Sequence, residues 1–184
     1  MSRPSGPLVV LVGPPASGKT TVGTAVATAL CVPFRDTDHD VEAVAGSTVA
    51  DLFVQQGEPY FRALEAAAVT RAMAEHEGVL ALGGGAVTDA GTRRLLVDHG
   101  RAGGTVVWLD VDLPSAAHRV GLSRDRPILG LNPRAMLRTM LETRAPLYGE
   151  VATLTVSTGG RPAEDVVAEV LAALQASAGR GAGA

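Results

Sequence analysis

The chain has 184 residues, of which 46% are hydrophobic and 19% are charged, and its formal net charge is −3. These values are typical of one ordinary globular domain, and the small negative charge excludes the electrostatic footprint of a protein that binds nucleic acid or an anionic membrane. No apolar stretch is long enough to span a membrane, and the single cysteine, Cys31, excludes an internal disulfide, so we expect a cytoplasmic protein with a buried thiol.

Strand-like and helical segments alternate along the chain. The predicted strands cover residues 8–12, 33–35, 79–82, 105–109 and 151–156. After a first helix that follows the loop at 13–20, the predicted helices cover residues 39–45, 48–56, 59–77, 89–99, 114–121, 133–145 and 163–175. Five strands separated by helices predict a doubly wound α/β fold with a parallel sheet, whose ligand crevice lies at the carboxyl ends of the strands. We also expect a polar, mobile loop at about 122–132 and a flexible tail at 176–184.

A glycine-bounded loop lies between the first strand and the first helix. Residues 13–20 read Gly-Pro-Pro-Ala-Ser-Gly-Lys-Thr, the G-x-x-x-x-G-K-T pattern of a P-loop. The backbone N–H groups of such a loop and the amino end of the following helix attract phosphate oxygens. We therefore expect Lys19 to reach the β- and γ-phosphates of a nucleotide and the Thr20 hydroxyl to bind Mg²⁺. The remaining predicted ATP-binding residues of this segment are Gly13, Ala16, Ser17, Gly18 and Thr21.

Two carboxylates follow the second predicted strand directly. Asp36 and Asp38 are two residues apart, so both side chains leave the strand on the same side. One can face Mg²⁺ and its waters while the other faces a substrate hydroxyl. The alternative is a solvated loop in which Asp38 caps the next helix.

A long predicted helix opens with residues 57–65 and carries Arg62 and Glu65 on one face, three positions apart. These two residues can form a surface ion pair, which contributes little to stability. The alternative is that Arg62 binds a substrate carboxylate through its two-pronged guanidinium. The residues by themselves leave both interpretations open.

Three glycines, Gly83, Gly84 and Gly85, follow the predicted strand at 79–82. A glycine run loses backbone entropy on folding and packs no side chain. It suits a place where a ligand approaches the backbone closely, and the alternative is an ordinary turn.

The last third of the chain is rich in arginine. Most of these side chains are expected on solvated helix faces, but Arg126 lies in the polar loop at about 122–132. An arginine that closes over the γ-phosphate would offset developing charge and exclude water, so Arg126 is the candidate lid arginine.

The other candidate groups show no catalytic pattern. The histidines have neither metal-ligand spacing nor a nucleophile partner, and we expect all of them at the surface or on helix faces. They are His39, His76, His99 and His118. Trp108 lies within a predicted strand and is expected in the core.

Taken in order, six motifs between Leu8 and about Leu174 resemble those of the shikimate kinase family. They are residues 13–20, Asp36-Thr37-Asp38, residues 57–65, residues 82–87, Arg126-Pro127-Ile128-Leu129 and Arg144-Ala145-Pro146-Leu147-Tyr148. The resemblance implies a single nucleoside-monophosphate-kinase-like domain over 1–184, with a substrate-binding region at about 36–65 and a lid at about 122–132. It implies ATP-dependent phosphorylation of the 3-hydroxyl of shikimate, with Mg²⁺, in the route to chorismate and the aromatic amino acids. We expect a monomer.

The resemblance also implies roles for the residues on the acceptor side. Asp38 would hold the substrate hydroxyls and orient or deprotonate the attacking one. Arg62 and Arg144 would bind the shikimate carboxylate, with Gly83–Gly85 against the ring.

On the nucleotide side, the resemblance implies that Lys19 and Arg126 supply positive charge to the transferred group. Thr20 would bind Mg²⁺ directly and Asp36 would act on it through water. Arg119 is similar in position to the arginine that stacks on adenine.

The chain departs from the family at two places. Pro14 and Pro15 cannot donate N–H bonds, so the donors nearest the phosphates are expected later in the loop. Asp125 adds a negative charge beside Arg126, and we expect activity despite both departures.

Two other functions compete with this one. Another small-metabolite kinase of the same fold, such as a gluconate kinase, also acts on an anionic polyol, but the glycine triplet argues against it. A nucleotide-binding regulator without catalysis is the second alternative. The residues that argue against it are the intact Lys19, Thr20, Asp36, Asp38 and Arg126.

Overall fold

The computed structural model describes residues 6–122 and 133–181. The strands are β1 (Val9–Val12), β2 (Phe34–Asp36), β3 (Val79–Ala81), β4 (Thr105–Asp110) and β5 (Leu154–Ser157). The helices are α1 (Lys19–Leu30), α2 (Thr37–Ala45), α3 (Val49–Gln55), α4 (Glu58–Glu75), α5 (Ala90–Arg101), α6 (Leu113–Leu122), α7 (Pro133–Val151) and α8 (Ala163–Gly181), with a short 3₁₀ turn at Ala86–Thr88. Each predicted strand and helix has a counterpart in this order.

The described strands form one parallel sheet in the order β2-β3-β1-β4-β5, which confirms the predicted fold class. In the central strand β1, Val10 aligns with Leu80 of β3 on one side and with Val106 of β4 on the other. Alternate residues of a strand point to opposite faces. Val10 therefore packs in the core under α4, α5 and α7, and Val9 packs in the core under α1 and α8. With both faces covered by helices, the carboxyl edge is where a ligand can approach the strands.

Three predicted motifs meet at that carboxyl edge. The loop at 13–18 leaves β1, Asp36 ends β2, and Gly83–Gly85 follow β3. The neighbouring positions of β1, β2 and β3 in the sheet bring these segments together. Parallel pairing therefore assembles the candidate site from segments that are far apart in the chain.

Asp36, not Asp38, caps α2. The Asp36 side chain accepts a hydrogen bond from the Asp38 N–H at 3.0 Å, which satisfies one of the free donors at the start of this helix. The alternative in which Asp38 is the cap is therefore wrong. The Asp38 side chain instead faces Gly83, where a Cβ would meet its Oδ1 atom.

The helix α7 continues through Pro146 to Val151, so the predicted end at residue 145 is wrong. A proline inside a helix removes one backbone hydrogen bond and normally favours a break. Here the turn beyond Pro146 carries Tyr148 and Val151, and each of these side chains is only 2% exposed. Burial of these two apolar surfaces against the sheet outweighs the lost bond. Because α7 extends to Val151, the last strand begins at Leu154 rather than at residue 151.

The final helix α8 runs to Gly181, beyond its predicted end at residue 175, and the flexibility of the tail stays a prediction. This stretch continues a helix whose Val166 and Val170 are already anchored in the core. Ala176 and Ala178 favour the helical state, whereas Gly179 and Gly181 do not. None of the helices in the described part of the chain is both long and apolar enough to cross a membrane.

Cys31 is exposed, which corrects the expectation of a buried thiol. It ends α1 in the left-handed conformation, with φ 54° and ψ 42°, and its N–H donates to the carbonyls of Ala27 and Thr28. A residue in this capping position turns the chain out of the helix, so its side chain leaves the buried face of α1.

Two of the histidines are buried, contrary to the sequence-based expectation, whereas His39 and His118 are exposed. His99 on α5 is 7% exposed, and a Cβ at Gly104 would clash with its ring, so this glycine makes room for the imidazole. Its Nε2 atom is buried without a hydrogen-bond partner among the described residues. Burial lowers the pKa of His99, because the interior disfavours the charged imidazolium.

This histidine is expected to make stability depend on pH. The folded protein favours neutral His99, so its contribution to the free energy of unfolding is present above the ordinary pKa of 6.5 and is lost as the pH falls below that value. Urea unfolding between about pH 8 and pH 5 should show a steeper loss for the wild type than for His99→Gln, by up to about 1.4 kcal/mol per pH unit. The exposed His118→Gln should keep the wild-type slope, and equal slopes for all three proteins would contradict the assignment.

Candidate active site

The loop after β1 has the conformation of a phosphate cradle. Gly13 and Gly18 have φ of 149° and 92°, and Ala16 has φ of 64°, a region that L-residues seldom occupy. The helix α1 begins at Lys19 without a side-chain cap from the described residues, so its first N–H groups are available to an anion.

Ser17 shows that this cradle fits a polar ligand. The residue is 0% exposed, and its Oγ atom has no hydrogen-bond partner within the described part of the chain. It lines a cavity of about 210 Å³ together with Thr21 and Arg119. A buried hydroxyl without a partner is costly unless a ligand or water satisfies it, so the loop suits phosphate oxygens.

Lys19 lies folded over the loop. Its Nζ atom donates to the Gly13 carbonyl at 2.8 Å and to the Pro14 carbonyl at 2.9 Å. These bonds keep the ammonium group at the mouth of the cradle, where it can exchange carbonyl oxygens for phosphate oxygens.

Thr20 and Asp36, the two predicted metal residues, lie side by side. The Thr20 hydroxyl donates to Asp36 Oδ2 at 3.0 Å, while the other carboxylate oxygen caps α2. The described residues hold no cluster of three or more His, Cys, Asp or Glu side chains that would form a complete protein metal site. Mg²⁺ in phosphoryl transfer is commonly held by one or two protein groups together with substrate phosphates and water, and this pair fits that pattern.

On the acceptor side, site side chains press against the glycine triplet. A Cβ at Gly83 would collide with the Asp38 and Glu65 carboxylates, and a Cβ at Gly85 would collide with the Arg62 guanidinium. The triplet is therefore not an ordinary turn, since these two glycines make room for charged groups. The Gly83 N–H also donates to the Thr37 hydroxyl at 3.0 Å, which ties the triplet to α2.

Arg62 is held between two carboxylates. Its Nη1 lies 2.6 Å from Glu65 Oε2, and its Nε and Nη2 each lie 3.1 Å from Glu58 Oε1. The guanidinium is also 5.3 Å from the centre of the Phe61 ring. Because the Glu65 side chain is only 3% exposed, this is not the surface ion pair of the first interpretation.

Glu65 is a site residue to which sequence reasoning assigned no role of its own. Burial raises the pKa of its carboxyl, the ion pair with Arg62 opposes that shift, and the negative charge of Asp38 adds to it. The helical spacing to Arg62 indicated a pair, but only the approach of α2 places Asp38 beside it.

The helix α7 brings Arg144 and Tyr148 to the glycine triplet. Arg144 Nη1 donates to the Gly84 carbonyl at 3.1 Å, and the Tyr148 hydroxyl donates to the same oxygen at 2.6 Å. The structure thus gathers Arg62, Arg144 and Asp38 around the triplet.

Arg119 ties the phosphate loop to the segment after β5. It donates to the Ala16 carbonyl at 3.0 Å and to the Thr158 carbonyl at 2.6 Å. Arg161 lines the same cavity as Arg119 and is paired with Glu169 at 2.7 Å. This cavity lies beside the cradle, because Ser17, Gly18 and Thr21 also line it. Stacking of Arg119 on adenine stays a prediction.

The predicted lid at 122–132 lies outside the described residues except for Leu122, and with it Arg126. Its role as lid arginine therefore also stays a prediction.

A family model described as "Shikimate kinase" matches residues 15–175. The chain belongs to the shikimate kinase family. This result confirms the resemblance of the six motifs, and it decides between the two kinase alternatives against a gluconate kinase.

Individual members of the shikimate kinase family cover almost the whole chain. A shikimate kinase of Salinispora arenicola is 55% identical over 170 residues, which are 92% of this chain and 99% of that protein. The structure of shikimate kinase from Acinetobacter baumannii in complex with shikimate has a TM-score of 0.86 and 35% identity, and covers 94% of each chain. A gluconokinase from Sinorhizobium meliloti also covers 94% of each chain, but with a TM-score of 0.60 and 25% identity.

Proposed function

We propose that this chain transfers the γ-phosphoryl group of ATP to the 3-hydroxyl of shikimate, with Mg²⁺ as cofactor. The observation that carries the proposal is the meeting of the P-loop with a carboxylate and arginine cluster at one edge of the sheet. Gly84 belongs to the glycine triplet Gly83–Gly85, which we call the acceptor loop. It touches Pro15 of the phosphate loop at 13–18, since a Cβ on Gly84 would lie 2.8 Å from Pro15 Cδ. Membership of the shikimate kinase family supports the same donor and acceptor.

The arginines select an anionic acceptor. Arg62 and Arg144 approach the glycine triplet from α4 and α7, so a carboxylate between them would receive charge-assisted hydrogen bonds from both. Glu58 and Glu65 hold the Arg62 guanidinium in place before the substrate arrives. The glycines leave room for a ring to lie against the backbone.

Asp38 is the group that handles the acceptor hydroxyl. Its carboxylate lies at Gly83, beside Glu65, and can accept the proton of a hydroxyl that is bound over the triplet. In the transfer, the 3-hydroxyl oxygen forms a bond to the γ-phosphorus while the bond from that phosphorus to the β–γ bridging oxygen breaks. ADP leaves with the electron pair of the broken bond, and Asp38 takes the proton.

The donor side supplies position and charge. Lys19 exchanges the Gly13 and Pro14 carbonyls for phosphate oxygens, and Thr20 and Asp36 would hold Mg²⁺, Asp36 through water. When bound, the ion neutralises charge on the β- and γ-phosphates. Because the transition state of phosphoryl transfer is loose, alignment and charge are most of what the protein must provide. We assign Arg126, in the predicted lid, the role of supplying positive charge to the transferred phosphoryl group.

An ADP-release assay with alternative acceptors tests this function. Purified protein with ATP and Mg²⁺ is expected to release ADP with shikimate, and only at background rate with gluconate or without acceptor. Turnover that gluconate stimulates as well would contradict the acceptor, and acceptor-independent release would favour a nucleotide-binding regulator. Phosphorus NMR of the product identifies the phosphorylated hydroxyl.

Removing Arg62 should weaken the binding of shikimate and leave the binding of ATP unchanged. Each charged hydrogen bond contributes about 1.5–3 kcal/mol, so Arg62→Ala should raise the shikimate KM about tenfold or more and leave the ATP KM within about twofold. The change also strands the buried Glu65, and Arg62→Ala/Glu65→Gln removes that charge as a control. Two results would contradict the assignment of Arg62 to the shikimate carboxylate. One is a wild-type shikimate KM in the double variant, and the other is a change mainly in the ATP KM.

The proposal includes a monomeric, cytoplasmic enzyme. For a monomer, light scattering would give 18.8 kDa. The exposed thiol of Cys31 suits a reducing compartment.

A further inference from the structure

The Gly84 carbonyl of the acceptor loop is held by two side chains of α7. It accepts hydrogen bonds from the Tyr148 hydroxyl at 2.6 Å and from Arg144 Nη1 at 3.1 Å, both on α7. On its other side, the same residue touches Pro15 of the phosphate loop. Gly84 is therefore clamped from α7 and abuts the loop that holds ATP.

We propose that Tyr148 is a positioning residue, whose hydroxyl holds Gly84 against Pro15 and so sets the spacing between acceptor loop and phosphate loop. The inference rests on the proposed function and assigns the kinase a residue that touches neither substrate. In-line transfer needs the acceptor oxygen close to the γ-phosphorus, so a shift of Gly84 relative to Pro15 changes the rate as well as the affinity.

Tyr148 is built to be rigid. Its side chain is 2% exposed and packs in the core cluster of the sheet, and its ring stacks with Trp108, with the two centroids 5.8 Å apart. Burial raises the pKa of Tyr148 to about 12, so the phenol stays protonated and donates throughout the range in which enzymes work. The position depends on the continuation of α7 beyond Pro146, which gives that extension a function.

Arg144 also holds the Gly84 carbonyl, and it thereby links the position of Gly84 to substrate binding. One of its nitrogens holds the Gly84 carbonyl, while the guanidinium as a whole is assigned to the shikimate carboxylate. Without the Tyr148 hydroxyl, Arg144 holds the carbonyl alone. Substitutions at the two residues should therefore be non-additive in a double-mutant cycle of Tyr148→Phe with Arg144→Lys.

The test is Tyr148→Phe, which removes the hydroxyl and keeps the ring. We expect the shikimate KM to rise and kcat to fall, each by about threefold to tenfold, the factor that one hydrogen bond supplies. The ATP KM should stay within about twofold. A merely structural role would lower the melting temperature and leave these kinetic values unchanged, and that result would overturn the proposal.

Thr153→Val is the matched control. The Thr153 hydroxyl bonds to the N–H and carbonyl of Val106 at 2.9 and 3.1 Å, near the amino end of β4 and away from the site. Like Tyr148→Phe, this variant loses part-buried hydrogen bonds, but it should keep wild-type KM and kcat. Equal kinetic defects in Thr153→Val and Tyr148→Phe would overturn the specific role of Tyr148.

A second variant tests the contact with the phosphate loop. Gly84→Ala places a Cβ against Pro15 and should raise the KM values of both ATP and shikimate, and an unchanged ATP KM would overturn this step.

Trp108, the single tryptophan, stacks on Tyr148 and allows shikimate binding to be followed by fluorescence without turnover. If the wild type does not turn over shikimate, the proposed function is contradicted. If the wild type is active and Tyr148→Phe has the same shikimate KM and kcat, only this inference is contradicted.

Discussion

Replacing Lys19 with methionine is expected to lower kcat about a thousandfold or more, because a positive charge aimed at the reacting group supplies several kcal/mol of transition-state stabilisation. Its Nζ already lies at the mouth of the cradle, within 2.9 Å of the Gly13 and Pro14 carbonyls. Lys19 is also the only lysine in the chain, so no other ammonium group can substitute. Methionine keeps the length of the side chain and removes its charge. Steady-state kinetics with shikimate and ATP measure the loss.

Thermal unfolding separates catalysis from folding in this experiment. Without nucleotide, the Lys19→Met protein should melt close to the wild type, since Lys19 is only partly buried and its hydrogen bonds to the Gly13 and Pro14 carbonyls hold a loop rather than the core. Addition of ATP and Mg²⁺ should raise the melting temperature of the wild type more than that of the variant. A kcat within tenfold of the wild type would contradict the P-loop mechanism.

Asp38→Asn is expected to have the second large effect, a fall in kcat of about a hundredfold to ten-thousandfold, the usual contribution of a general base. The amide keeps the shape of the side chain but cannot accept the proton of the 3-hydroxyl. Asp38 does not cap α2, so the substitution removes no capping bond and the fold should survive. The rate of shikimate-dependent ADP release measures the effect.

Asp40→Asn provides a matched control on the same helix. Asp40 pairs with Arg35 at 2.8 Å and is assigned no part in the site. It should retain wild-type kcat while losing a partly exposed ion pair of at most about 1 kcal/mol. Similar activity losses at positions 38 and 40 would mean that α2 charge in general, and not the Asp38 carboxylate, supports the reaction.

The donor half of the site could be predicted from local sequence. A buried apolar run, a glycine-bounded loop and Lys19 within fourteen consecutive residues, 8–21, are sufficient for a phosphate cradle. The rule that parallel strands present their carboxyl ends at one edge then predicted that Asp36 and Gly83–Gly85 lie near that loop, and the sheet order confirms it. These predictions needed no knowledge of side-chain packing.

Residues whose environment depends on packing were predicted less well. His99 is buried and Cys31 is exposed, the reverse of what the sequence predicted for each. Helical periodicity does not tell which neighbours cover a residue near a helix end. The predicted end of α7 at residue 145 is wrong because the tertiary burial of Tyr148 carries the helix past Pro146.

The sequence by itself determined the fold class, the phosphate loop and the charged residues available to an anionic acceptor. Only the tertiary structure decided that Glu65 is buried between Arg62 and Asp38, and that Tyr148 holds the Gly84 carbonyl across sixty-four positions of chain. The physical reason is the range of the interactions. Strand and loop propensities act between neighbours in sequence, whereas hydrogen bonds between α7 and the acceptor loop exist only after the sheet has brought them together.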